Sequence, residues 1–291
     1  MVKLFSDSDF DLPLDLIEKY DIGVIPFGIS YGDETYYQGY YELNSADFYE
    51  RCRETDAWPK TSQPVASQYE DLFRPALENG DDVLCFCITS KFSGSYQSAV
   101  MAKENLQPEF PGRRIELFDT QRCTVLHGYT VYQACLLLES GATIDEILSV
   151  LVPMKEDYCV LISVDSLEYL RKGGRLGKAG ALAGSLLNIK PIIGMRNGEL
   201  IPYSKVRGKK NAVAEIIKGI NKFVGENKND YVAISFTSDI PEDTELIARE
   251  LTKNGFETVH KWEIGPVVGA HVGPTAFAAA VFKKYAGQNI F

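Results

Sequence analysis

VLCFCITSKFSGSYQSAV, residues 83–100, changes character twice. Val83 to Ile88 is a short unbroken apolar run, Thr89 to Ser95 is rich in hydroxyls around a single glycine, and from Tyr96 onward apolar residues recur at helical spacing. A run this short without alternation reads as a strand buried on both faces, and a strand that enters a helix through a tight loop is half of a crossover unit. The same order extends outward, with strands expected at 2–5, 22–29 and 115–118 and helices at 13–20, 45–53, 65–77, 96–106 and 124–138. Strand and helix in alternation predict a parallel sheet covered on both faces. Residues 1–155 are therefore expected to form a Rossmann-like α/β domain.

Pro153 and the acidic pair Glu156-Asp157 interrupt that pattern. Beyond them, 160–164, 190–195, 200–206, 231–236 and 258–263 read as strands and 166–171, 178–187, 209–224 and 241–253 as helices. Asn197-Gly198 between two apolar segments is a two-residue hairpin signal, so this second sheet contains an antiparallel pair. A mixed-sheet α/β domain over 156–291 is expected, and 291 residues suit two domains of ordinary size.

A composition of 45% hydrophobic and 24% charged residues excludes disordered and collagen-like chains. The longest apolar runs, 134–138 and 276–282, fall short of the roughly 18 residues that a membrane span needs. Lys3 is the only cation of an acidic N-terminus with no apolar segment behind it, so no signal peptide is expected and the address reads as cytoplasmic. Cysteines at 52, 85, 87, 123, 135 and 159 sit mostly in apolar stretches and read as reduced core residues. Cys123 and His127 offer only two ligands at helical spacing, so no metal is expected. Between 171 and 210, Arg171, Lys172, Arg175, Lys178, Lys190, Arg196, Lys205, Arg207, Lys209 and Lys210 face one acid, Glu199, in a chain of net charge −10. The overall acidity and the scarcity of interleaved aromatics argue against nucleic acid and for a bound anion or an acidic partner.

Parallel α/β sheets bind ligands beyond the carboxyl ends of their strands. Ser6-Asp7-Ser8 and Thr89 to Ser95 fall there, and Thr61-Ser62-Gln63-Pro64 precedes another helix with Pro64 in the place of a first-turn proline. The Thr89 and Thr61 segments both set hydroxyls and free N–H groups at a helix N-terminus, which suits an anion, although an ordinary N-cap would look the same. Gly94 permits close backbone approach, so Thr61, Ser93 and Gly94 are expected to form a carboxylate cradle. His271 is the one polar side chain of Gly265 to Pro274, where Gly269 and Gly273 suggest irregular backbone and Pro274 a place to open the final helix. His127 and His260 have no such setting and read as structural.

Ser93 with His271 has the nucleophile and base of a serine-dependent lipid esterase or acyl hydrolase, but the Gly-x-Ser-x-Gly elbow is missing. Gly173 to Gly177 lacks the spacing and the Lys-Ser/Thr of a phosphate loop, and no dinucleotide fingerprint occurs. Binding thus leads over catalysis. Leu176, Ala179, Leu182, Ala183, Leu186 and Leu187 make an apolar helical face that either packs on the core or lines a ligand. An acyl tunnel carrying Leu176, Leu182 and Leu186 beside an anion cradle fits a long-chain fatty acid, since each buried methylene contributes about 0.8 kcal/mol.

Ser6-Asp7-Ser8, Thr61 to Pro64, Ser93 to Ala99, Leu167 to Arg175, Ile189-Lys190-Pro191-Ile192 and Gly269 to Pro274, in this order, resemble the DegV family, the fatty-acid-binding subunits of bacterial fatty acid kinase. The resemblance spans nearly the whole chain. It implies two domains with one fatty acid buried near their interface, its carboxylate held at Thr61, Ser93 and His271, and no cofactor. It also implies no catalysis by this chain alone: a separate kinase subunit brings ATP and makes the acyl phosphate, with Arg175 and Arg207 matching basic positions near phosphotransfer and docking. Thr275 stands where the family often has another small residue, a change expected to matter little. A monomer is expected.

Overall fold

A computed structural model describes residues 1–32, 35–38, 42–54, 58–183 and 188–284. In chain order the first half carries β1 (Val2–Asp7), α1 (Leu14–Lys19), β2 (Gly23–Ile25), β3 (Gly28–Tyr31), β4 (Thr35–Gln38), α2 (Ser45–Glu54) and β5 (Pro59–Ser62). α3 (Ala66–Glu78), β6 (Asp82–Cys87), α4 (Ser95–Leu106), β7 (Ile115–Asp119), α5 (Thr124–Glu139) and α6 (Ile144–Met154) follow. Strands in the order β2-β1-β6-β7 make an all-parallel sheet. Its side chains alternate as a pleated strand requires: Leu4, Leu84 and Phe86 join the core under α5, while Phe5, Val83, Cys85 and Cys87 pack with Tyr69, Phe73 and Ala99 of α3 and α4.

One strand was expected at 22–29, and two are present. Pro26 has no N–H to give a ladder, so β2 ends at Ile25 and the chain leaves the parallel sheet. β3 then pairs antiparallel with β4 and β5 in a separate three-stranded sheet. Thr61 and Ser62 consequently lie on a strand, and helix α3 begins only at Ala66, so Thr61 is not at a helix N-terminus. α6, which the sequence reading did not include, opens on a capping box in which Thr143 Oγ1 accepts from Glu146 N.

The second half carries β8 (Tyr158–Ser163), α7 (Glu168–Lys172), β9 (Ile189–Arg196), β10 (Glu199–Arg207), α8 (Lys209–Val224), β11 (Tyr231–Thr237), α9 (Pro241–Lys253), β12 (Val259–Glu263), α10 (Pro266–Val272) and β13 (Phe277–Lys283). The order β10-β9-β8-β13-β11-β12 gives a mixed sheet in which β11 and β12 run parallel and the remaining pairs antiparallel. At its hairpin, Arg196 pairs with Glu199 and both Asn197 (φ 51°) and Gly198 (φ 78°) take the positive φ of a type I′ turn.

Two expectations are corrected here. Among the described residues no helix follows Pro274: Phe277–Lys283 is a strand in the middle of the mixed sheet, with Ala278 and Ala280 facing one core and Ala279 the other. Alanine favours helices in isolation, but burial on both faces overrides that preference. The helix lies before the proline instead, as α10, because Gly269 lets it press against Phe48 and Tyr49 of α2. Over 178–187, the described part is a 3₁₀ turn at Gly177–Leu182 that ends in extended backbone at Ala183, consistent with glycines at 177 and 180 weakening an α-helix. The expected division at 155/156 falls in the turn between α6 and β8. A single apolar cluster joins Leu4, Phe86 and Val131 to Val160, Phe236 and Ala278, so the parallel and mixed sheets share a core.

Candidate functional site

The parallel sheet reverses its strand order between β1 and β6, where a doubly wound sheet leaves a crevice. Asp7, at the end of β1 and fully buried, organises this point. Its Oδ1 accepts from Tyr69 OH at 3.0 Å, and its Oδ2 from Ile88 N at 2.9 Å and Ser95 Oγ at 2.8 Å. Burial, helped by the charge of Asp9, pushes the Asp7 carboxyl up to about 6. The carboxylate thereby ties the strand end to the loop that carries Ser93. Beside it, Asp9 Oδ1 lies 2.9 Å from His127 Nδ1 and Ser6 Oγ 3.1 Å from His127 Nε2, all three residues without solvent exposure. This Ser-His-Asp line is not in the wall of the cavity that Thr61 and His271 line and acts as a brace, with burial holding His127 neutral at a pKa of about 4.

Thr61 and His271, 210 positions apart, meet at 2.9 Å between Oγ1 and Nε2. β5 brings the threonine and α10 the histidine. Burial, with the Arg175 charge adding to it, lowers His271 to about 4, so the ring is neutral at pH 7. Ser93 precedes α4, and its Oγ accepts from Ser95 N at 3.1 Å, a local turn bond at the helix start. Gly94 does approach closely, but to protein: its N–H donates to Gln63 Oε1 at 2.9 Å, and a Cβ there would stand 2.6 Å from that oxygen. Gln63, unremarked as a site residue in the sequence, therefore links the Thr61 and Ser93 segments. Arg175 reaches inward, its Nε donating to Phe92 O at 3.0 Å and Nη1 to Gly173 O at 2.5 Å.

Thr61, Ser93, Arg175 and His271 all line one cavity, whose atom-free volume is about 860 Å3 counting its open mouth. Its free interior is a narrow slot, with about 80 Å3 open to the centre of a water molecule. The rest of the wall is almost wholly apolar, chiefly Val160 and Ile162 of β8, Val164 just after it, Ile193 and Met195 of β9 and Val267 of α10. Neither Leu176 nor Leu182 is in this wall; both pack on the shared core from the 3₁₀ segment, and Leu186 lies outside the described residues. The period-two apolar residues of β8 were the legible signal for the true wall. Gly94 is likewise absent from it.

The basic excess of 171–210 is answered in part by ion pairs, three of them with acids from elsewhere in the chain. Arg171 pairs with Glu168, Lys190 with Asp165, Lys178 with Glu199 and Lys209 with Asp243, while Lys172 stands 3.6 Å over the Trp58 ring. Arg207 is exposed at the end of β10, away from the cavity wall, and its side chain has no ion-pair partner among the described residues. The hydrolase reading loses its geometry, because His271 Nε2 is bonded to Thr61 and not to Ser93. Among the described residues no group of three or more His, Cys, Asp or Glu is arranged to hold a metal ion, and no helix is long and apolar enough to cross a membrane.

Comparison with known proteins agrees on one family. The profile described as "Uncharacterised protein, DegV family" matches residues 1–284. A DegV domain-containing protein of Clostridium perfringens is 31% identical over 284 residues, covering 98% of this chain and 99% of its own. Among solved structures, a stearic acid-binding protein of Eubacterium ventriosum superposes with a TM-score of 0.91 at 30% identity, covering 98% of this chain and 99% of that one. A fatty-acid-binding DegV family protein of Thermus thermophilus gives 0.89 at 32%, covering 97% and 99%.

Proposed function

The chain belongs to the DegV family, and from that premise we propose that it binds one long-chain fatty acid, with the acyl chain in the apolar slot and the carboxylate at Thr61, Ser93, Arg175 and His271. The observation that carries this reading is the composition of one cavity wall: aliphatic side chains of the mixed sheet and α10 together with the polar Thr61, Ser93, Thr124, Arg175 and His271, with Thr61 bonded to His271 and Arg175 to the carbonyl of Phe92 beside Ser93. The structures of fatty-acid-binding relatives support it. Each methylene moved from water into the slot contributes about 0.8 kcal/mol, so a long chain supplies most of the affinity and the polar groups set its orientation. Occupancy requires the slot to widen, which apolar side chains permit by changing rotamer. Organic extraction of the purified protein with mass spectrometry should recover fatty acid in near-equal amount; no recovery, and no uptake of added palmitate, would sink the reading.

In this proposal the protein is cytoplasmic, is divided into domains at 155/156 and does no chemistry alone. It presents the carboxylate to a separate ATP-dependent kinase subunit that makes the acyl phosphate. Support comes from Arg207, whose unpaired exposed charge offers an acidic or ATP-bearing surface something to meet. With the cognate kinase, captured by pull-down from the source organism, Arg207→Ala should depress ATP-dependent acyl phosphate formation while palmitate uptake stays as in the parent. Loss of uptake with normal transfer at saturating lipid would overturn this division.

A further inference from the structure

One polar atom at the head-group end has no explained partner. His271 Nδ1 is completely buried and makes no hydrogen bond, although Nε2 of the same ring is bonded to Thr61 Oγ1. The reason lies on the neighbouring loop: a Cβ built on Gly173 would overlap His271 Nδ1, so the imidazole edge rests directly on the glycine. The backbone N–H groups around it are already engaged, Gly173 N with Tyr169 O, Gly174 N with Arg171 O and Arg175 N with Leu170 O. Gly173 itself has ordinary helical dihedrals, φ −74° and ψ −8°, so the backbone does not require glycine there. The room for the ring does.

We propose that Gly173 is a positioning residue that holds His271 as the Nε2–H tautomer, so that Thr61 receives the histidine proton and turns its own hydroxyl hydrogen into the cavity. This deepens the fatty-acid reading and rests on it for its functional meaning. The argument is one of counting protons. A neutral imidazole has one N–H, and a hydroxyl has one. If Nδ1 carried the proton, a donor would be buried against a glycine with nothing to accept it, which is more costly than a bare lone pair in the same place. Thr61 would then have to donate to Nε2 and would show only lone pairs to an arriving carboxylate. With the proton on Nε2, the hydroxyl accepts from the ring and donates to the anion. Arg175, the cation nearest in effect, opposes a second proton on the ring and keeps this arrangement singular. A site of this polarity prefers an acceptor head group, and a charged one above a neutral one.

Nitrogen-15 NMR of histidine-labelled, ligand-free protein at pH 7 reads the tautomer directly. His271, assigned by the signals lost in His271→Asn, should show an unprotonated Nδ1 and a protonated Nε2. His127, whose Nδ1 lies 2.9 Å from Asp9 Oδ1, supplies the internal reference. A protonated Nδ1 on His271 overturns the inference. Gly173→Ala should displace the ring, change that signature and weaken palmitate binding about tenfold, with a smaller loss for 1-hexadecanol. Equal losses for the two, or an unchanged tautomer with unchanged palmitate affinity, would overturn the positioning role. Failure of the parent protein to take up palmitate would remove the fatty-acid reading, and the tautomer would still be decided by the spectrum.

Discussion

Single hydroxyls carry the head-group chemistry, and their removal is the sharpest residue-level measure of it. Thr61→Val and Ser93→Ala should each weaken palmitate binding by about 1–3 kcal/mol, the range for a buried hydrogen bond lost to a charged acceptor, as read by calorimetric titration. If both variants bind like the parent, these hydroxyls serve only their turns. His271 adds a pH signature. The unfolded chain takes up its imidazole proton near 6.5 and the folded chain only near 4. Stability owed to this group is therefore complete above about pH 6.5 and declines as pH falls toward 4, by up to about 1.4 kcal/mol per pH unit. His271→Asn lacks the effect, so the stability advantage of the parent over the variant should shrink from pH 7 to pH 4.5 in denaturant titrations. A constant difference would mean that the ring protonates as freely folded as unfolded.

At the scale of elements, the helix that closes the parallel sheet is the most demanding. α5 is buried around nearly its whole circumference, and at Gly128 it lies so close to the 10–12 segment that a Cβ would overlap the carbonyl oxygen of Phe10. Propensity alone favours Gly128→Ala by about 1 kcal/mol. Overlap with backbone, which has no rotamer to change, should reverse that sign and destabilise the protein by about 1–3 kcal/mol in thermal or denaturant unfolding. A stabilised variant would show that the helix shifts without cost. The segment it presses on leads into α1 and follows the Ser6-Asp7-Ser8 motif, so this packing and the Asp7 network hold the same strand end from two sides.

The whole molecule places the cavity against its mixed sheet, closed by residues of the loops that follow β6 and β7 of the parallel sheet, so ligand binding and global stability are linked. A ligand that binds only the folded state adds about 2.7 kcal/mol at a hundredfold excess over Kd. Delipidated protein should unfold several degrees higher with saturating palmitate in differential scanning calorimetry, at roughly 2–4 °C per kcal/mol for domains of 150–250 residues. An unmoved transition would place palmitate outside the shared core. Both sheets contribute to one apolar cluster and both halves of the chain supply wall residues, so the rise should appear throughout the unfolding profile and not in a leading fraction of it.

By itself the sequence determined the α/β class, most strands and helices of the parallel sheet, the 197–198 hairpin and the family, because short apolar runs, helical spacing, turn residues and local motifs are properties of neighbours in the chain. It also singled out Thr61, Ser93 and His271, which the fold brings to one cavity. Only the tertiary structure decided what depends on distant partners. Pro26 sent the chain into a third sheet, and Ala278 to Ala280, ambiguous locally, became a central strand once covered on both faces. Gly94 met Gln63, and three acids from other segments, Asp165, Glu168 and Asp243, answered part of a ten-residue basic excess. The cavity wall moved from the 176–187 segment to β8, β9 and α10, because a helical apolar stripe tells that a surface is covered and not what covers it. Gly173 became legible only when His271, 98 positions away in sequence, was found resting on it.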